Sequence, residues 1–269
     1  MEITMNLLIG RSNPLLLTLL GLGVLAHYLL TSAPYVADAL FFLGVIIHST
    51  KIWGLARTLI YIITAMCLGY LAEFIGINTG LVFGVYHYNT TNPGMIFGVP
   101  YFIPIQYAYL LYAGNMVCIA ICGELMRRHH VWMLAILTGV ILTLKDLSTD
   151  PIKSTVEQIW IWNNGGAYFG EPVHNFVGWF FLFATLTLAA TTLAWHRGNM
   201  SANVKLSRET FYFPLLLLSA VVIFSISLAL SVPDSFSGLG SVSLLVILLG
   251  TTPYLLLGWF NVRNGDSQV

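Results

Sequence analysis

An all-α, polytopic integral membrane fold is what this sequence predicts, on three observations. Of the 269 residues, 57% are hydrophobic and 8% are charged, with a mean hydropathy of +0.82. A water-soluble domain carries roughly a quarter charged residues to hold its surface in water, so lipid has to be the solvent here. The apolar residues fall into eight runs, most of them near the roughly 20 residues that a helix rising about 1.5 Å per residue needs to cross the hydrocarbon. The basic residues between those runs divide nine against two, as the preference of Lys and Arg for the cytoplasmic side of short loops demands.

The runs are Pro14 to Leu30, Tyr35 to Ser49, Leu55 to Ile75, Tyr101 to Glu124, Val131 to Leu147, Val173 to Trp195, Phe211 to Ser231 and Leu239 to Phe260. The second is the shortest, but omitting it would scramble the charge pattern. Together they predict a single transmembrane helical domain over residues 1–269, of about eight helices. Arg11, Lys51, Arg57, Arg127, Arg128, Arg197, Lys205, Arg208 and Arg263 fall on one side, and Lys145 and Lys153 on the other. Both termini are therefore expected in the cytoplasm. Arg11 and the apolar run ending at Thr31, Ser32 and Ala33 look like a secretory signal, yet further spans follow and the charge fits a retained first helix. Eleven basic residues balance eleven acidic ones, which gives no reason to expect a nucleic-acid partner. Cys67, Cys118 and Cys122 sit inside apolar runs and are read as packing residues.

This threading puts the two long connections, Gly76 to Pro100 and Asp146 to Pro172, together on the non-cytoplasmic side. The first is rich in glycine and proline and predicts a turn-rich cap with a short hairpin. Carboxylates at membrane depth are costly and usually face a cavity or a partner. Glu73 lies near the outer end of the third span. Asp146 and Asp150, four residues apart on one helix face, lie at the outer end of the fifth. Three carboxylates thus meet at one depth, where like charges in a dry site cannot all ionise cheaply, and this would supply a general acid beside a general base. The alternative is structural: Lys145 or Lys153 pairs with an aspartate, and Glu73 caps backbone groups. Glu157 and Glu171 are read as solvated.

Tyr86, Tyr88, Tyr101, Trp160, Trp162, Tyr168 and Trp179 crowd the same level. They form either an interfacial belt or a pocket whose ring faces stabilise a cation. His87 and His174 lack ligand spacing and are read as loop residues, so no metal site is expected.

The stretch Glu73-x-x-Gly76-x-x-Thr79-Gly80-x-x-Phe83-Gly84-x-Tyr86-x-Tyr88, followed by Gly98-Val99-Pro100, resembles the membrane carotenoid-biosynthesis family that includes bisanhydrobacterioruberin hydratase and bacterial carotenoid 1,2-hydratases. Asp146-x-x-x-Asp150-Pro151 matches the same family, as does Trp160-x-Trp162-x-x-x-Gly166-x-Tyr168-x-Gly170-x-Pro172-x-x-Asn175-Phe176-x-Gly178-Trp179. The sequence departs from the pattern at Glu171, where an apolar residue is expected, and at Tyr107, where Trp is. The resemblance implies hydration of the terminal isopropylidene double bond of an acyclic carotenoid taken from the bilayer, without a cofactor. Its implied partners are the carotenoid, lipid and other membrane enzymes of the pathway.

On this reading the catalytic candidates are Asp146 as proton donor, with Asp150 or Glu73 positioning water. Tyr86, Tyr88, Trp160, Trp162, Tyr168 and Trp179 would bind the substrate and its cation, and Asn175 would order water or a carboxylate. Three other classes compete. A Mg²⁺-dependent prenyltransferase could use the two aspartates but has only Lys145 and Lys153 for a diphosphate. A retinal-binding photoreceptor lacks a lysine in the last two spans. A proton-coupled transporter would want its carboxylates at the midplane rather than at one end.

Overall fold

The helices follow the apolar runs closely in a computed structural model, which describes residues 14–29, 35–89, 94–122, 131–195, 208–236 and 238–265. They are α1 (Pro14–Leu29), α2 (Tyr35–Trp53), α3 (Leu55–Thr79), α4 (Phe102–Cys122), α5 (Val131–Pro151), α6 (Val173–Trp195), α7 (Arg208–Leu230), α8 (Leu239–Val246) and α9 (Thr252–Gly265). A π-helical turn, Ile152–Val156, prolongs α5, and a second, Ile247–Thr251, joins α8 to α9 in one rod. Four short strands complete the described elements: β1 (Tyr86–Tyr88), β2 (Met95–Ile96), β3 (Val99–Pro100) and β4 (Trp160–Trp162).

Seven of these rods are long and apolar enough to cross a membrane. The chain is an integral membrane protein. The eighth, α1, has 16 described residues, about 24 Å of helix against a hydrocarbon core of about 30 Å. The second run proves longer than its apolar core: α2 continues through Lys51 to Trp53, because a cation in the last turn suits the helix C-terminus. Of the residues that set the expected sidedness, Arg11, Arg127, Arg128, Arg197 and Lys205 lie outside the described residues.

Helix α4 is the hub, touching α2, α3, α5, α6, α7 and α9. It has no polar face, so it has to be surrounded, and every residue from Tyr107 to Ala120 is buried. Its one mid-helix amide ties it to three neighbours. Asn115 Nδ2 donates to Tyr61 on α3 at 2.6 Å, while Asn115 Oδ1 accepts from Thr138 on α5 at 2.7 Å and from Thr187 on α6 at 3.1 Å. Helix α6 packs extensively against both α5 and α3, which brings the ends of α3 and α5 to one place.

The cap is woven across the sequence. The expected hairpin is present as β2–β3, pairing Met95 with Pro100 and Ile96 with Val99. Strand β1 instead pairs antiparallel with β4, some seventy residues away, aligning Tyr86 with Trp162 and Tyr88 with Trp160. The two long connections are thus one structure. Two glycines let it close. A Cβ at Gly178 would lie 2.1 Å from the Val82 carbonyl oxygen, and one at Gly166 would lie 1.9 Å from the Glu171 carbonyl carbon. Both neighbours are backbone and cannot swing aside. Gly178→Ala and Gly166→Ala are therefore each expected to lower the thermal unfolding midpoint in detergent, by at least the about 1–3 kcal/mol typical of overpacking. Gly21→Ala, with nothing within 4 Å of the added carbon, should leave the midpoint unchanged.

Candidate active site

Strand alternation sets the roof of the site. Successive side chains of a strand point to opposite faces, so Tyr86 and Tyr88 turn inward and are buried while His87 faces out. Trp160 and Trp162 stand opposite them on β4, with ring centroids 6.2 Å from Tyr88 and 4.9 Å from Tyr86 respectively. Trp179, from the second turn of α6, packs between Tyr107 at 5.4 Å and Phe83 at 4.8 Å. These rings surround a cavity of about 50 Å³, counted as room for the centres of water-sized molecules, and one water needs about 10–15 Å³ of such space.

Glu73, Asp146 and Asp150 all line this cavity, and each is held differently. Glu73 accepts hydrogen bonds from three phenols, Tyr86 and Tyr88 at Oε2 and Tyr107 at Oε1, with the Tyr88 bond 2.8 Å long. It anchors side chains rather than capping backbone. Burial, and then the Glu73 carboxylate, push the Tyr86 and Tyr88 hydroxyls well above their ordinary range, so both are donors at neutral pH. Asp150 Oδ2 accepts from Asn175 Nδ2 at 2.9 Å and Trp179 Nε1 at 3.1 Å. Asp146 Oδ1 forms an ion pair with Lys145 Nζ at 2.9 Å. Its other oxygen, Oδ2, is buried and has no hydrogen-bond partner among the described residues. The three carboxylates share a cavity, and one of them pairs with a lysine. Lys153 lines the cavity too, with no carboxylate within ion-pairing distance among the described residues.

Glu171 was expected in solvent and is instead fully buried. The bridge between Tyr168 and Glu171 folds this turn under the cap, where Ser154 Oγ donates to Glu171 Oε1 at 2.7 Å and Asn175 Nδ2 lies 3.3 Å from Oε2. Asn175 therefore joins Glu171 to Asp150. Burial pushes the Glu171 carboxyl up to about 9. His174 is likewise not a loop residue: it stands exposed in the first turn of α6. Exposed Glu157 is where it was expected.

Of the residues singled out in the sequence, Glu73, Tyr86, Tyr88, Asp146, Asp150, Trp160, Trp162, Asn175 and Trp179 come together in the cavity wall. Tyr168 does not line it; its hydroxyl donates to the Leu147 carbonyl at 3.0 Å and its ring packs on Phe176. Sequence reasoning missed Gln106, which lines the cavity, and Asp38, which accepts from Gln106 Nε2 at 2.9 Å and from the Tyr109 hydroxyl at 2.8 Å. A carboxylate inside a membrane-spanning run was the available signal for Asp38.

A family model described as carotenoid biosynthesis protein matches residues 15–251. The chain belongs to that family. The match runs from α1 to the π-helical turn before α9 and so includes every residue of the cavity wall. An enzymatic role in carotenoid biosynthesis accords with the apolar bundle and its polar, aromatic end. No curated protein and no solved structure matches the chain.

The buried Glu171 gives a thermodynamic expectation. The folded chain keeps the Glu171 proton up to about pH 9, whereas the unfolded chain releases it near the ordinary 4.5. Between those values the folded state binds more protons, so this group's contribution to stability is full below the lower value and declines as the pH rises toward the upper one. The unfolding midpoint in detergent should fall across that window, and Glu171→Gln should flatten the fall. A slope left intact by the substitution would assign it to other groups.

Proposed function

We propose that this chain is a carotenoid hydratase, a cofactor-independent hydro-lyase that adds water across the terminal C1–C2 double bond of an acyclic carotenoid end. The substrate class is the isopropylidene terminus of a lycopene, γ-carotene or bisanhydrobacterioruberin type of molecule, and the product is a tertiary alcohol. The observation that carries this reading is the pairing of Asp146 and Asp150 in an aromatic-walled cavity with an unpartnered Asp146 oxygen. Buried polar atoms in folded proteins nearly always have a partner, so an orphan in a cavity wall marks where a water or substrate group belongs.

The chemistry follows from the alkene. Protonating it creates a tertiary cation, which requires a positioned acid, electron-rich faces around the cation and one held water. The aspartates, one turn apart, divide the proton work. Asp146, ion-paired with Lys145, is the anionic member and takes a proton from the attacking water. Asp150, held through one oxygen by Asn175 and Trp179, gives its proton to the alkene. This exchanges the donor part that the sequence reading gave to Asp146, and the lysine is the reason. As the π bond's electron pair forms the new C–H bond, the cation faces Trp160, Trp162, Trp179, Tyr86 and Tyr88, whose ring faces attract positive charge. Glu73 holds three phenols in place and adds negative charge behind them. Proton return from Asp146 to Asp150 resets the pair. In this reading the cap faces away from the cytoplasm, a sidedness supported by the nine-to-two division of basic residues.

Expression in cells that accumulate lycopene, with extracted pigments separated by chromatography and weighed by mass spectrometry, tests the reaction. A product heavier by one water and bearing a tertiary hydroxyl is expected. Asp150→Asn and Asp146→Asn should each reduce it by about 100-fold or more while the protein still reaches the membrane. Unchanged lycopene, γ-carotene and bisanhydrobacterioruberin in the presence of membrane-inserted protein would reject hydration. An active Asp150→Asn variant would remove that residue from the donor role.

A further inference from the structure

The hydration scheme needs a fixed water, and Gln106, outside the aspartate–aromatic set, stands in the cavity wall with Asp38 behind it. Gln106 lies on α4 in the cavity wall. Its Nε2 donates to Asp38 Oδ2 at 2.9 Å, and Asp38 Oδ1 accepts from the Tyr109 hydroxyl at 2.8 Å. Asp38 is only 8% exposed, in the first turn of α2, a costly place for a carboxylate unless it has work to do.

The consequence is directional. An ionised carboxylate only accepts hydrogen bonds, whereas an amide has one donating end and one accepting end. With one N–H of its amide given to Asp38, Gln106 keeps Oε1 as its acceptor, and turning the amide over would set that oxygen against a carboxylate oxygen of Asp38. Gln106 thus brings an amide acceptor to the α4 side of the residues that line the cavity, where Asp146 on α5 brings its orphaned Oδ2. A water whose two O–H bonds point at two acceptors presents its lone pairs elsewhere, which is what a nucleophile attacking a cation requires.

We propose that Gln106 Oε1 and Asp146 Oδ2 together hold the attacking water, and that Asp38 acts as a positioning residue that fixes the Gln106 amide in the accepting sense. The inference rests on the hydratase reading. In the step itself, the water oxygen bonds to the tertiary cation, one water proton passes to Asp146, and the other O–H stays with the product and keeps its hydrogen bond to Gln106. Gln106 thus also recognises the tertiary alcohol, and in the reverse direction it orients the hydroxyl that leaves.

Carotenoid hydration by the purified full chain in D₂O tests this, because protonation and water capture leave different marks. Wild-type protein should yield the deuterated tertiary alcohol. Gln106→Leu should cut alcohol formation by about 100-fold, the loss associated with misplacing a reacting group by an ångström. It should still protonate the alkene, so the cation collapses back by losing a proton and the recovered carotenoid gains deuterium at its terminal unit. Asp38→Asn, which allows the Gln106 amide to turn over, should lower kcat with KM unchanged, and Asp38→Glu should restore part of the loss. Full hydration by Gln106→Leu would overturn the proposal, as would loss of hydration and deuterium uptake together, since that pattern belongs to a collapsed site. A wild-type protein that neither hydrates nor exchanges would overturn the hydratase reading first, and this inference with it.

Discussion

A carboxylate at membrane depth must be given partners, and the cap end of this protein is organised around meeting that requirement several times over. Glu73 takes three phenolic donors, Asp150 an amide and an indole, Asp146 a lysine, Glu171 a hydroxyl and Asp38 an amide and a phenol. Most of these bonds cross between elements: Glu73 on α3 holds β1 and α4, Asp150 on α5 holds α6, Glu171 of the cap holds Ser154 in the π-helical turn after α5, and Asp38 on α2 holds α4. Desolvation, which makes such groups expensive, is also what makes a positioned proton useful. Structure and reactivity share one cause here.

The rest of the bundle serves this end. The buried knot at Asn115 fixes α4 against α3, α5 and α6 below the cavity, and the buried amide is affordable because every polar atom involved has a partner. Above it, β1 and β4 bring rings from two distant connections face to face. Under the proposed hydration the substrate's unactivated alkene offers no polar handle, so binding would come from apolar and aromatic walls and selectivity from where the few polar atoms stand. A substrate dissolved in lipid suits an enzyme whose whole body is apolar.

Much of this was legible in the sequence because lipid imposes simple rules. Span positions followed from hydropathy, and Glu73, Asp146 and Asp150 stood out because charge is rare inside spans. Other features were not legible, for physical reasons. The sequence offered Lys145 or Lys153 as an aspartate's partner without deciding which, because neighbours on a helix such as Lys145 and Asp146 do not normally face one another; the long lysine stem bridges the angle. Strands of three residues carry too little alternation to announce that β1 would pair with β4. Glu171 sits among glycine, aromatic and proline residues that read as an exposed turn, and only the tertiary fold of the cap buries it. Tyr168 shares the composition of the aromatic wall, yet its hydroxyl is used by the Leu147 carbonyl. Asp38 was overlooked in the shortest apolar run, although the rule that singled out Glu73 applied to it equally.

The central claim is that water itself, activated by buried carboxylates and nothing else, becomes the hydroxyl of the product. Incubating purified protein with an acyclic carotenoid in H₂¹⁸O under argon, without added metal or redox cofactor, tests it most directly. The account predicts a tertiary alcohol carrying ¹⁸O, formed without change in the polyene's oxidation level. A product that forms only when oxygen gas or a reductant is supplied, or that lacks the label, would contradict it.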